Sequence, residues 1–341
     1  YATSFAQIRI NEILVSNIIS NLDTDNYEYG DWVELYNEGS ETINLNGYSI
    51  TDDIENPTRY TINENIYLNA NEYLLIWTDK EASGVHTNFS LSADGEFVGI
   101  FDPSMVLVDS LTYPEQHPDI SYGQHTDGSW GFYGFPTPSA ANSGFFSTSA
   151  NLSPQVSFSK SSGFYSGSQS VTLSVAEPNT DIYYTTDGSF PVKNTSSTKL
   201  YSSAISISSN TVVRARSYNS SFLPGKISTQ TYFINEDISL PVLSLSTDPD
   251  HFFDDEIGIY VEGTNGIPGN CAGVTNWNQD WERPVGVEYF SPSGEALLNQ
   301  NAGIKISGNC TRIWDKKSLA LMSRKKYGKS GFDYTFFEDK D

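Results

Sequence analysis

Carboxylates at alternate positions of a loop are the first residues in this chain that could do chemistry. Asp23 and Asp25 flank Thr24, and Asp31 follows in the same segment. Three such side chains could face one hard cation, and calcium draws six to eight oxygen ligands from flexible segments of this kind. The spacing is not that of an EF-hand, whose glycine and terminal glutamate are misplaced here. Calcium at Asp23, Asp25 and Asp31 is the metal expectation, set against the plainer alternative that these side chains cap turns. A second acidic run, Asp248, Asp250, Asp254 and Asp255, carries the same two readings.

The cations are unevenly placed. Arg312, Lys316, Lys317, Arg324, Lys325, Lys326 and Lys329 crowd into one stretch of a chain with 19 basic residues. Cations on phosphates are one part of phosphoryl transfer, which also needs acidic metal ligands and a group that orients the acceptor. Only the cations are evident here, so a solvated basic face is the competing reading. The histidines, His86, His117, His125 and His251, are dispersed and share no ligand spacing. No nucleophile elbow, phosphate loop or His-Glu-x-x-His helix occurs, and no catalytic residue is assigned. Cys271 and Cys310 cannot hold zinc alone. In an exported protein they would form one disulfide, and in a reducing compartment two thiols.

The elements that must position these groups read as short strands. Ile8, Ile10 and Ile13 mark one, and Trp32, Val33 and Leu35 a second. Tyr73–Trp77, Phe97–Phe101 and Val106–Leu111 follow. Asn46-Gly47, Asp94-Gly95 and Asp127-Gly128 separate them at the spacing of a sandwich or barrel. After a Ser-rich boundary at 144–154, strands are expected at Ser170–Val175, Asp181–Thr185, Ala204–Ile207, Thr211–Tyr218 and Gln230–Ile234. Beyond a second boundary at 235–240, Asp248 followed by Pro249 predicts an N-cap and a helical turn through Phe253. Strands at Gly258–Val261, Val285–Phe290, Gly303–Ile306 and Ser318–Met322 lead to the charged run Glu338-Asp339-Lys340-Asp341. These strands are too few to complete a third module. The domains expected are 5–145, 154–235 and 240–341.

The 341 residues carry a net charge of −23, which would repel phosphate backbones and excludes nucleic acid as a partner. The acids are scattered and aromatic content is 13%, as packed cores require. Tyr at 21 suits either sheet surfaces or a sugar-stacking strip. No run of roughly 18 apolar residues occurs, so no transmembrane segment is expected. The chain opens on Tyr1 rather than Met, and the expectation is an exported chain whose leader has been removed.

Three resemblances follow. Ile10-Asn11-Glu12-Ile13, Asp31-Trp32-Val33-Glu34-Leu35-Tyr36-Asn37, Leu45-Asn46-Gly47-Tyr48, Ser121-Tyr122-Gly123 and Pro136-Thr137-Pro138-Ser139-Ala140-Ala141-Asn142 resemble a lamin tail domain. That resemblance implies an immunoglobulin-like sandwich with a binding or spacer role. Ile182-Tyr183-Tyr184-Thr185-Thr186-Asp187-Gly188-Ser189-Phe190-Pro191 and Val213-Arg214-Ala215-Arg216 are similar to the C-terminal domain of chitobiase and hexosaminidase enzymes, which supplies no catalytic acid. Leu240-Pro241-Val242, Thr247-Asp248-Pro249-Asp250, Gly258-Ile259-Tyr260-Val261, Trp281-Glu282-Arg283-Pro284, Gln300-Asn301-Ala302-Gly303-Ile304 and Lys316-Lys317-Ser318-Leu319 resemble the opening of the CotH spore-coat kinase family. That resemblance implies Lys317 as a nucleotide contact, and Mg-ATP as cofactor only where the kinase domain is complete.

The fold class expected is therefore all-β: tandem immunoglobulin-like β-sandwiches followed by an incomplete, β-rich, kinase-like N-terminal region. The function expected is an extracellular bacterial surface protein whose sandwiches bind a protein or glycan ligand or act as spacers, with no complete catalytic site in this chain. The alternatives are a truncated secreted CotH-type protein kinase and a carbohydrate-binding surface protein.

Overall fold

Isoleucines at 8, 10 and 13 cannot all face one side of a regular strand, because side chains alternate. The strand Ile8–Leu14 resolves this with a β-bulge between Ile10 and Glu12. Ile10 pairs with Leu35 before it and Ile13 with Val33 after it, so Ile8, Ile10, Ile13 and Val15 all enter one core. The backbone N–H of Ile10 at the bulge donates to Asp109 Oδ2, 2.8 Å away. The same phase change sends Glu12 and Leu14 to the other face.

The computed structural model describes residues 7–271 and 273–337, so the run Glu338–Asp341 lies outside the described residues. The chain divides into two units, Tyr1–Ala150 and Asn151–Asp341. It is nearly all β, with one short α-helix, Pro249–Phe253, among the described residues.

In the first unit an antiparallel sheet runs in the order Phe146–Ser147, Trp130–Tyr133, Ser121–Gln124, Ile8–Leu14, Trp32–Asn37, Tyr73–Trp77. A second sheet, Tyr60–Thr61, Ser49–Thr51, Phe97–Phe101, Leu107–Thr112, packs across the core. The outer face of the first sheet is also covered. Leu14, Trp32 and Trp77 form a small apolar cluster. Beside it Glu12 accepts from the Ser121 hydroxyl and from the Thr137 backbone N–H and hydroxyl. Glu34, paired with Glu12 in register, accepts from Asn11 Nδ2 at 2.8 Å and from the Ser139 backbone N–H. Asn142 donates to the carbonyls of Asn11 and Gln124, tying 136–142 over the sheet.

The second unit begins with a five-stranded sheet, Gly163–Tyr165, Ser228–Ile234, Thr211–Tyr218, Asp181–Thr185, Lys199–Leu200, its first pair parallel. Val171, Ile182, Ile207, Val213, Ala215 and Tyr232 fill its core. A four-stranded antiparallel sheet follows in the order Val242–Ser246, Arg283–Phe290, Ala296–Ser307, Ser318–Met322. Asp248 caps the helix through Asp250 N–H, and Pro249 opens it, as the sequence predicts. The strand expected at Gly258–Val261 does not form. Gly258, Ile259 and Tyr260 donate back to the carbonyls of Asp254, His251 and Phe252, which folds this stretch onto the helix. A side chain at Gly258 would meet the Asp254 carbonyl oxygen at 2.4 Å.

Candidate functional site

Antiparallel pairing of Trp32 with Trp77 puts the loop before one strand and the loop after the other at the same end of the sheet. Asp23 stands in the first loop, held by a bridge to Glu28, while its Oδ1 accepts the Asp25 N–H at 2.9 Å. Asp79 and His86 stand in the second. That loop turns tightly, with positive φ at Lys80, Ala82 and Gly84, and it returns so that Trp77 N–H donates to Val85 and Thr87 N–H to Trp77. Glycine at 30 packs closely on the second loop's entry, since a Cβ there would lie 3.3 Å from Trp77 Cε3.

The three side chains converge. One ligand atom from each of Asp23, Asp79 and His86 lies within 4.8 Å of the others. His86 Nδ1 is 2.6 Å from Asp79 Oδ2 and 3.9 Å from Asp23 Oδ2. On the solvent side, Asp25 Oδ2 is 3.6 Å from His86 Nε2. Asp23 is 3% exposed, and its Oδ2 has no hydrogen-bond partner. Burial pushes the Asp23 carboxyl above its ordinary value, against the opposing pull of the Asp25 N–H and of His86. The hydrogen bond that His86 donates to the Asp79 carboxylate raises the imidazole above its ordinary value, against desolvation.

Of the residues singled out in the sequence, Asp23 is central to this cluster, and Asp25 stands at its mouth. Asp31 is used differently: its Oδ1 accepts from the backbone N–H groups of Ser16 at 2.9 Å and Asn17 at 3.1 Å. Asp79 and His86 were missed, because seven positions within an irregular loop is no ligand spacing. The signal that could have found them is the pairing of the two tryptophan-bearing strands. In the second acidic run Asp248 and Asp254 accept from nearby backbone N–H groups, as turn caps do.

Lys317 lies directly before the strand Ser318–Met322. Its Nζ sits 3.7 Å from the Trp277 ring centroid and donates to the carbonyls of Arg312 at 2.7 Å and Trp314 at 3.2 Å. Desolvation holds this ammonium below the usual lysine value, with Asp315 and Glu262 opposing. Cys271 and Cys310 are joined in a disulfide with Cα atoms 5.0 Å apart.

The tip of the hairpin between Phe97–Phe101 and Leu107–Thr112 exposes Met105, Val106 and Leu107 at 44%, 59% and 42%. It is not slack. Asp102 Oδ1 accepts from Ser104 N–H at 2.8 Å and Val106 N–H at 2.9 Å, and Met105 adopts φ 64°.

Two family models match parts of the chain: Lamin Tail Domain over residues 2–115 and Chitobiase/beta-hexosaminidase C-terminal domain over residues 160–229. Both segments are immunoglobulin-like β modules. The first match stops short of Ser121–Gln124, Trp130–Tyr133 and Phe146–Ser147, which belong to the same sheet. No CotH kinase model matches. No curated protein matches the chain. Among the described residues no helix is long and apolar enough to cross a membrane.

Proposed function

We propose that this chain belongs to an exported protein of the bacterial cell surface, in which the two immunoglobulin-like modules bind a protein ligand and space it from the cell. The observation that carries the binding role is the hairpin tip at Met105, Val106 and Leu107. Three adjacent apolar side chains are held out to water on a turn locked by Asp102, and clustered exposed apolar groups mark interaction sites. Loops at the ends of such sandwiches are the usual place for recognition. The Cys271–Cys310 disulfide supports an oxidising compartment.

The test is retention of the bead-coupled 341-residue chain on a panel of extracellular proteins, with a glycan array beside it. Retention on a protein that drops at least tenfold in Val106→Asp supports the reading. Glycan binding untouched by that substitution moves recognition to the sugar-stacking alternative, and no retention of a folded chain leaves spacing alone. Phosphoryl transfer is a second reading. It is supported by the motif words of 240–341 and by the four-stranded sheet that carries Lys317 at the entry to its last strand. Its assay is transfer of labelled γ-phosphate from ATP.

A further inference from the structure

We propose that Asp23, Asp79 and His86 bind one divalent transition-metal ion of the zinc class, with Asp25 orienting the imidazole and water completing the coordination. This goes beyond the surface-binding role and does not depend on it.

Geometry is the first support. Metal–ligand bonds of about 2.0–2.1 Å in a tetrahedral site put ligand atoms about 3.3 Å apart. The Nδ1 to Oδ2 separations of 2.6 and 3.9 Å bracket that distance, and all three ligand atoms lie within 4.8 Å of one another. Both loops are already fixed by backbone hydrogen bonds, from Asp23 N–H to Glu28 and from Thr87 N–H to Trp77, each 2.8 Å.

The second support is the unmatched oxygen. Asp23 Oδ2 is buried, points toward His86 and accepts nothing. A buried acceptor without a partner is costly, and more so when charged. A cation placed between Asp23 and Asp79 would give that oxygen its partner. Three carboxylates, those of Asp23, Asp25 and Asp79, surround one imidazole, which leaves the group anionic and suited to a dication.

The donor set decides the class of metal. Calcium prefers an all-oxygen shell of six to eight ligands. An imidazole with two carboxylates suits zinc and its neighbours. Ligation through Nδ1 leaves Nε2–H facing Asp25, the carboxylate–imidazole–metal arrangement that fixes ring orientation in such sites.

The test uses the whole 341-residue chain stripped with chelator and titrated calorimetrically with zinc chloride. One equivalent should bind, and calcium at equal concentration should not displace it. Asp23→Asn and His86→Gln should each weaken binding at least tenfold, while Glu55→Gln, an exposed acid of the same unit, should not. Wild-type affinity in the two cluster variants, or displacement by calcium, would overturn the proposal. Anomalous diffraction at the zinc edge from wild-type crystals does not depend on the variants folding. A peak between Asp23, Asp79 and His86 supports the site, and a peak only elsewhere, or none, overturns it.

Discussion

Glu34 sits where two requirements oppose each other. Its donors, Asn11 Nδ2 and the Ser139 N–H, favour a charged carboxylate, whereas burial beside Glu12 disfavours it. Burial prevails, and the carboxyl is pushed up to about 8 from 4.5. Folded protein therefore keeps a proton that unfolded chain has released between those values. The stability tied to it is full below the unfolded value and is lost as pH rises through about 8, at up to roughly 1.4 kcal/mol per pH unit. Glu12, also raised by burial, acts in the same direction. Glu34→Gln stays neutral throughout but gives up one acceptor, at a cost of about 1–3 kcal/mol. The variant should be weaker than wild type at pH 5, with the gap narrowing or reversing at pH 8. Urea midpoints read on the NMR signals of Ile8–Leu14 would show this, and an unchanged pH slope in the variant would refute it.

Among the elements, the hairpin Ile267–Pro268/Val274–Thr275 is too short to stand alone, since an isolated two-stranded hairpin is marginal in water. The disulfide ties it to the 3₁₀ turn Cys310–Ile313 across 39 positions. Closing a loop of that length stabilises by about 3–4 kcal/mol in the chain-entropy picture. Replacing both cysteines by serine should speed deuterium uptake in 267–275 and lower the unfolding midpoint of the second unit. Unchanged uptake would mean that Asn278, whose Nδ2 donates to the carbonyls of Ile267 and Gly273, holds the hairpin without the bridge. Elements of this kind also show what a sequence reveals. Tyr73–Trp77, Asp181–Thr185, Thr211–Tyr218 and Ser318–Met322 were legible to the residue, because β-branched and aromatic runs between turns encode strands locally. The stretch after Gly258 was not legible, because its hydrogen bonds return to a helix whose carbonyls compete for them. The candidate site was half legible. Asp23 and Asp25 lie together in sequence, but Asp79 and His86 reach them only through the register of Trp32 with Trp77.

For the molecule as a whole, the joint inside the second unit decides how its parts unfold. Phe164 and Phe233 stack at 4.6 Å between ring centroids, and Phe290 from the four-stranded sheet meets both edge-on. Glu288, on the same strand as Phe290, is buried and accepts from the hydroxyls of Ser162 and Thr231 and from Asn299 Nδ2. Arg214, almost fully buried, donates to the Ser246 carbonyl and lies 4.4 Å over the Phe190 ring. These contacts join the sandwich to the four-stranded sheet, since Ser162, Thr231 and Arg214 stand in the first and Glu288 and Ser246 in the second, and opening the joint breaks them together. Residues 154–235 and 242–322 should therefore unfold in one step rather than two. Phe290→Ala removes the apolar centre of the joint at a cost of about 3–5 kcal/mol. It should lower amide protection at Val213 and Ala215 in the sandwich as much as at Val287 in the sheet, although only Val287 shares its strand. If the sandwich amides kept their protection while the sheet opened, the two parts would be separate folding units and the joint a contact between them.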